Sequence, residues 1–172
     1  MKLVPIIALM ALAACNQKAE HAAVPAASSD LAVQSAPSTP SASSAPTALP
    51  VMTVYKSPTC GCCKSWVDAV KQAGFTVEVH DVADVTPVKD DAGVPADKRS
   101  CHTAIVGGYA IEGHVPPATI KKFLAEHPKA AGLAVPGMPT GAPGMEMPGM
   151  QPDHYDVIAF QSNGTSTVYE SH

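Results

Sequence analysis

The chain lacks the features that most directly announce a partner or a reaction. It has no basic patch: 11 Lys and Arg stand against 15 Asp and Glu, for a formal net charge of −4 over 172 residues. It therefore carries no electrostatic footprint for nucleic acid. It has no long hydrophobic run, since the apolar stretch at residues 3–14 falls short of the roughly 20 residues that span a bilayer. Nothing in it resembles a Ser/His/Asp triad, a paired-carboxylate site or a phosphate-binding loop. Residues 16 to 50, mostly Ala, Ser, Pro and Thr, lack any apolar period, so nothing drives them to collapse.

What is present begins with an export signal. Lys2 followed by the apolar stretch has the layout of a signal peptide. The stretch ends Leu12-Ala13-Ala14-Cys15, which resembles a bacterial lipobox with Cys15 as the lipidated first residue of the mature protein. The alternative is an ordinary signal peptide followed by a chance cysteine. Residue 16 is Asn, not Asp, so nothing marks the chain for inner-membrane retention. In a Gram-negative cell the lipobox implies the periplasm-facing side of the outer membrane. The expected organisation is a lipoprotein signal peptide at 1–14, a lipidated cysteine and flexible tether at 15–50, and one metal-binding domain at 51–172. The tether would reach on the order of 30 Å.

The domain is organised around Thr59-Cys60-Gly61-Cys62-Cys63-Lys64. Val51-Met52-Thr53-Val54-Tyr55 reads as a strand leading in, and Trp66, Val67, Val70 and Ala73, closed by Gly74, give a helical pattern leading out. Cys60 is the expected N-cap. This places three thiols at a helix N-terminus, where unpaired N–H groups and the helix dipole favour thiolate. Cys60 and Cys63 have the C-x-x-C spacing of thiol–disulfide oxidoreductases. Cys60 and Cys62 have a C-x-C spacing common in metal sites. A dithiol oxidoreductase gains nothing from a third adjacent thiol, whereas a polynuclear metal cluster gains a bridging ligand. Clustered thiols in an exported protein call for such a use.

Downstream, residues 75–82 alternate as a second strand, and residues 83–100 are polar with weak helical signals around 85–91 and 96–99. Two strands, 103–106 and 109–112, meet at Gly107-Gly108, and Pro116-Pro117 opens a helix that His127-Pro128 ends. The order β-α-β-(α)-β-β-α, with cysteines at the first helix N-terminus, resembles an α/β thioredoxin-like fold. Residues 132–153 are rich in Gly, Pro and Met and are expected to form an irregular loop. A C-terminal hairpin around Asn163-Gly164 is expected to extend the same sheet.

Cys101-His102 stands just before the third strand, where thioredoxin-type folds usually carry a cis-proline facing the cysteine motif. A thiol and an imidazole there form a ligand pair for Cu(I), Zn or an iron–sulfur cluster. His102 alone would also suit a solvent-exposed strand edge. His114, in a Gly-Pro loop, is a further candidate ligand or an exposed side chain. His80, beside Asp81, fits a structural or supporting role. Met138, Met145, Met147 and Met150 lie in a loop with little core to fill. Thioether suits Cu(I) and not Zn, Ca or Mg, although adaptable packing is the competing use. Lys64, Lys98 and Arg99 are placed to offset thiolate charge, or simply to be solvated.

Tyr55-Lys56-Ser57-Pro58-Thr59-Cys60-Gly61-Cys62-Cys63, Cys101-His102-Thr103-Ala104, Glu112-Gly113-His114-Val115-Pro116 and Pro136-Gly137-Met138-Pro139 with Gly144-Met145-Glu146 together resemble a bacterial CxCC-motif family. It was long labelled a domain of unknown function and includes copper-resistance proteins of the CopG type. The resemblance covers residues 51–162. It implies a thioredoxin-like fold, copper bound at the CxCC motif and a copper oxidoreductase role in resistance. Carried across, Cys60, Cys62, Cys63 and Cys101 become thiolate ligands of a Cu(I) site, as a polynuclear cluster, with His102 and His114 as further candidates. Met138, Met145 and Met147 are additional candidates. The expected partners are copper ions, the membrane through the lipid anchor, and copper efflux or redox proteins. The alternative from another class is a thiol–disulfide oxidoreductase using Cys60 and Cys63, and a copper chaperone is a third reading.

Overall fold

The computed structural model describes residues 48–172. The expected signal peptide, the lipidation at Cys15 and almost all of the tether lie outside the described residues. No helix among the described residues is long and apolar enough to cross a membrane.

The chain enters through β1 (Met52–Lys56), whose alternation buries Met52 and Val54. A turn follows, with the Cys60 N–H donating to the Ser57 carbonyl at 3.2 Å. α1 (Gly61–Gln72) then starts at Cys60 and buries Cys63, Trp66, Val67 and Val70, the i, i+3, i+4, i+7 stripe of an amphipathic helix. It ends in a Schellman motif, with Gly74 N–H on Lys71 O and Phe75 N–H on Val70 O. β2 (Val77–Asp81) returns parallel to β1. α2 (Thr86–Asp91) and a 3₁₀ turn (Ala96–Lys98) cross to β3 (Thr103–Val106), which forms a hairpin with β4 (Tyr109–Glu112). α3 (Pro117–Glu126) begins with proline at its first turn and stops at His127, in the left-handed conformation.

The expected order is present, and the result is a mixed α/β structure on one seven-stranded sheet, β2-β1-β3-β4-β5-β6-β7. The last three strands are β5 (Gly132–Ala134), β6 (Asp156–Phe160) and β7 (Ser166–Ser171). β5 corrects the sequence reading, which gave all of residues 132–153 to irregular loop. All three of its residues are buried, and it pairs parallel with β4 and antiparallel with β6. Three residues cannot display alternation, so only its partners on both sides make it a strand. It carries the C-terminal hairpin onto the sheet. The main core joins Met52, Val54, Trp66, Val70, Ile111, Ile120, Phe123 and Leu133, which fixes α1 and α3 against the sheet.

Candidate metal centre

The CxCC half of the site is local. Cys60 caps α1, its sulfur accepting the Cys63 N–H at 3.3 Å. Cys60 and Cys63 are joined by a disulfide with Cα atoms 5.3 Å apart. One helical turn sets that separation, which lies in the normal range for a disulfide. Cys62 is free and half-buried, with its sulfur 3.5 Å from that of Cys60. The sulfurs of Cys60, Cys62, Cys63 and Cys101 all lie within 4.8 Å of one another. In the disulfide state two of these four are bonded to each other and are not thiolates.

The other half is assembled from distant segments. Cys101 and His102 precede β3, and His114 follows β4. Cys101 Sγ lies 3.3 Å from His102 Nδ1 and 3.1 Å from His114 Nε2. The β3–β4 hairpin brings the two segments together, and Gly113 lets them close. A Cβ on Gly113 would sit 2.7 Å from Ser100 Cβ and from Val135 O, and its φ of +71° disfavours any other residue. Gly113 N–H also donates to His102 O. The 136–150 loop folds over this half. Gly144 has no room for a Cβ, which would meet Trp66 N at 2.6 Å and Cys62 O at 2.9 Å. Beside it, Pro143 O accepts a hydrogen bond from His114 Nδ1 at 2.8 Å. Trp66 anchors the same region, donating from Nε1 to Val115 O at 2.9 Å.

Both imidazoles are buried, so the exposed strand-edge alternative for His102 does not hold. Burial, reinforced by His114, Lys89 and Lys56, holds His102 well below the ordinary histidine range. Burial also lowers His114, against the opposing pull of the Pro143 carbonyl and Glu146. Neutral imidazole is the ligating form. The Cys101 thiol is pushed up to about 11, first by burial and then by Cys62, so it keeps its proton at neutral pH until a cation displaces it. His102 Nε2 has no hydrogen-bond partner among the described residues.

Beneath Cys101 lies a buried polar network that sequence reading missed. Glu112 is fully buried and pairs with Lys89 of α2 at 2.5 Å. The same carboxylate accepts the Ser100 N–H at 2.5 Å and the Thr103 hydroxyl at 2.7 Å, while Lys89 also reaches Thr103 Oγ1 at 3.0 Å. The network therefore grips both sides of Cys101-His102. In the sequence Glu112 reads as a polar strand end and Lys89 as one charge in a polar stretch, and nothing there links them.

The structure also places the remaining candidates. Lys64, Lys98 and Arg99 each pair with a carboxylate, Asp68, Asp97 and Asp90 respectively, and not with the thiols, because those carboxylates are their neighbours on the same surface segments. His80 is exposed and stacks on Tyr55, outside both metal-ligand groups. Met138, Met147 and Met150 are each more than half exposed, so packing is not what they do. Met145, half-buried, follows Gly144 at the thiol helix.

Among the described residues, two groups could hold a metal ion: Cys60, Cys62, Cys63 and Cys101, and Cys101, His102 and His114. Thiolate and imidazole suit soft to borderline metals. A search of curated proteins gives no match. The family model described as "Protein of unknown function, DUF411" matches residues 98–145, a span holding Cys101, His102, His114 and Met145. Two solved structures of the copper resistance protein CopG are similar. Form 1 is 43% identical with a TM-score of 0.66, and form 2 is 41% identical with a TM-score of 0.67. Each comparison covers 72% of this chain and 98% of the other. With that identity over nearly the whole length of the CopG structures, the chain belongs to the DUF411 copper-resistance family.

Proposed function

We propose that this chain is an envelope copper-binding protein that holds Cu(I) at the thiolates of Cys60, Cys62, Cys63 and Cys101, in copper resistance or homeostasis. A copper-related role follows from the family and from a cysteine cluster able to bind metal. The finer reading is carried by one observation: four cysteine sulfurs from two separate segments converge within 4.8 Å. Thiolates at that spacing suit bridging of soft monovalent copper. Lipid anchoring through Cys15, with the domain facing the periplasm, belongs to the same proposal. The observed Cys60–Cys63 disulfide supports a redox component. Its closure from the dithiol releases two electrons and two protons, enough to reduce two Cu(II) to Cu(I).

Anaerobic Cu(I) titration of the reduced chain against a competing chelator tests this. More than one tightly held copper per chain is expected, with most of that capacity lost in Cys62→Ser. Absence of tight copper would sink the reading. The disulfide also favours a second reading, a thiol–disulfide oxidoreductase. In that case Cys62→Ser keeps disulfide exchange and Cys60→Ser abolishes it.

A further inference from the structure

We propose that the end of the domain where the chain enters is a membrane-facing surface that rests on anionic phospholipid, with the metal centre pointing away from the bilayer. This rests on the envelope reading above to put a bilayer within reach, and it adds which end of the domain meets that bilayer. The strands define the two ends. β1 begins at Met52, paired with Val77 and Val106, and finishes at Lys56, just ahead of Cys60. Cys101, His102 and His114 flank the matching ends of β3 and β4. The described chain starts at Ala48, at the other end of β1, roughly 15 Å away along the strand. α1 and α3 both start beside the metal ligands and finish at the entry end.

Three exposed lysines gather at the entry end: Lys71 in the last turn of α1, Lys121 on α3, and Lys129 between α3 and β5. Lys121 Nζ stands 6.0 Å from the ring centroid of Phe75, just past α1, and its side chain lines one groove with Leu49, Pro50, Gly107 and His127. None of the three takes part in an ion pair among the described residues, whereas every other Lys and Arg there pairs with a carboxylate. In a chain with 15 acids against 11 bases, the unpaired cations are thus confined to one end. The helix dipole accounts for Lys71 but not for the others, since α3 has no basic residue in its last turn. Of the carboxylates nearby, Glu126 accepts the Tyr169 hydroxyl. Glu78 and Asp91 lie on the face of the sheet opposite α1 and α3. Val51, 49% exposed, adds an apolar tip beside the exposed Pro50. Unpaired cations around a small apolar tip suit an interface of anionic headgroups. Residues 1–47 leave the domain from this same end. A tether reaching on the order of 30 Å leaves orientation free, and the lysines fix it.

The test is flotation of the full chain carrying Cys15→Ser, which accepts no lipid, with vesicles of phosphatidylcholine alone or mixed with phosphatidylglycerol. Residues 1–47 are identical in every sample, so differences among variants read the domain surface. Partition should rise with phosphatidylglycerol and fall back in about 1 M salt, where the Debye length is about 3 Å. Each lysine near an anionic bilayer is worth about a fivefold change in partition. A Lys71→Glu, Lys121→Glu, Lys129→Glu triple variant should therefore weaken partition onto the anionic vesicles by about a hundredfold, whereas Lys64→Glu at the metal end keeps it, with circular dichroism reporting that each variant is folded. On the anionic vesicles, lysine acetylation mapped by peptide mass should spare Lys71, Lys121 and Lys129 relative to Lys64. No rise with phosphatidylglycerol, or a rise that the triple variant keeps, overturns the surface. Equal acetylation of Lys64 and the three lysines overturns the orientation. The anchoring is read separately, from the intact mass of the wild-type chain recovered from bacterial envelopes. A chain without lipid on Cys15 would sink the anchor and leave the flotation result to decide the surface.

Discussion

Cys60, Cys62 and Cys63 occupy the N-cap and first turn of α1, half-buried apart from the fully buried Cys63, and their mutual distances follow from helix geometry. Cys101, His102 and His114 come from both ends of a hairpin, with the two imidazoles buried, and are held in contact by a glycine, a proline carbonyl and a buried ion pair. Both halves supply soft donors to one place. They differ in what sets the position: local backbone for the first, the whole sheet for the second. The local half carries a covalent link, the Cys60–Cys63 disulfide, that its own helical turn accommodates. The assembled half has no such link, and burial shifts the protonation of its thiol and both imidazoles.

The largest expected effect comes from removing the support of the assembled half. Lys89→Ala leaves the Glu112 carboxylate buried without its cation. Breaking a buried pair from one side costs about 3–5 kcal/mol. Urea unfolding should show this loss, and a Lys89→Met, Glu112→Leu double variant should recover much of it. A Lys89→Ala loss below about 1 kcal/mol would mean that the network does not hold this arm.

Gly113→Ala should come next, at about 1–3 kcal/mol. It forces a Cβ to 2.7 Å from Ser100 and Val135 and keeps a positive φ. Because it shifts His114 relative to Cys101 and leaves the α1 thiols in place, it should weaken Cu(I) uptake in the titration less than Cys62→Ser does. An equal loss would erase the distinction between the halves.

Acid should act on the assembled half alone. The folded-state pKa of His102 lies below its unfolded value of about 6.5, so the folded state takes up its proton later than the unfolded chain does. The stability this confers is present above about pH 6.5 and is lost as pH falls, by up to about 1.4 kcal/mol per pH unit. His114 is shifted in the same direction. Cys101 has the opposite sign: its pKa is raised to about 11, so its contribution is present below about pH 8.5 and is lost as pH rises through 11. Urea midpoints of the copper-free chain between pH 7.5 and 5.5, compared with those of His102→Gln, would isolate the histidine contribution. Parallel profiles would count against it.

The smallest effect should come from Lys64→Ala. Lys64 pairs with Asp68 across one turn of α1, both well exposed. Its loss should change stability by no more than about 0.5 kcal/mol and leave copper stoichiometry unchanged in the titration. A clear drop in copper capacity would mean that the local half draws on this surface cation.

Much of this was legible along the chain, for specific reasons. The strand–turn–helix around Cys60 announces itself by an apolar run, an N-cap and a stripe closed by Gly74. The β3–β4 hairpin is legible from Gly107-Gly108, and α3 from its prolines. β5 was not, because Gly132-Leu133-Ala134 is too short to show a period and opens a Gly/Pro-rich segment. The burial of His102 and His114 was not legible either. Polar residues flanking short strands look the same whether water or protein covers them, and here His114 meets Pro143, 29 residues on, while His102 packs against Trp66 of α1.

By itself, the sequence determined that three thiols crowd a helix N-terminus and that a Cys-His pair precedes a hairpin. Both follow from contacts within a few residues, which spacing and turn chemistry dictate. Only the tertiary structure decided that Cys101 stands within reach of both the CxCC sulfurs and two buried imidazoles, with Glu112 and Lys89 beneath it. The contacts of Cys101 with His114 and of Lys89 with Glu112 close loops of 13 and 23 residues, and such closure is set by the packing of sheet, helix and loop together. No local pattern encodes it.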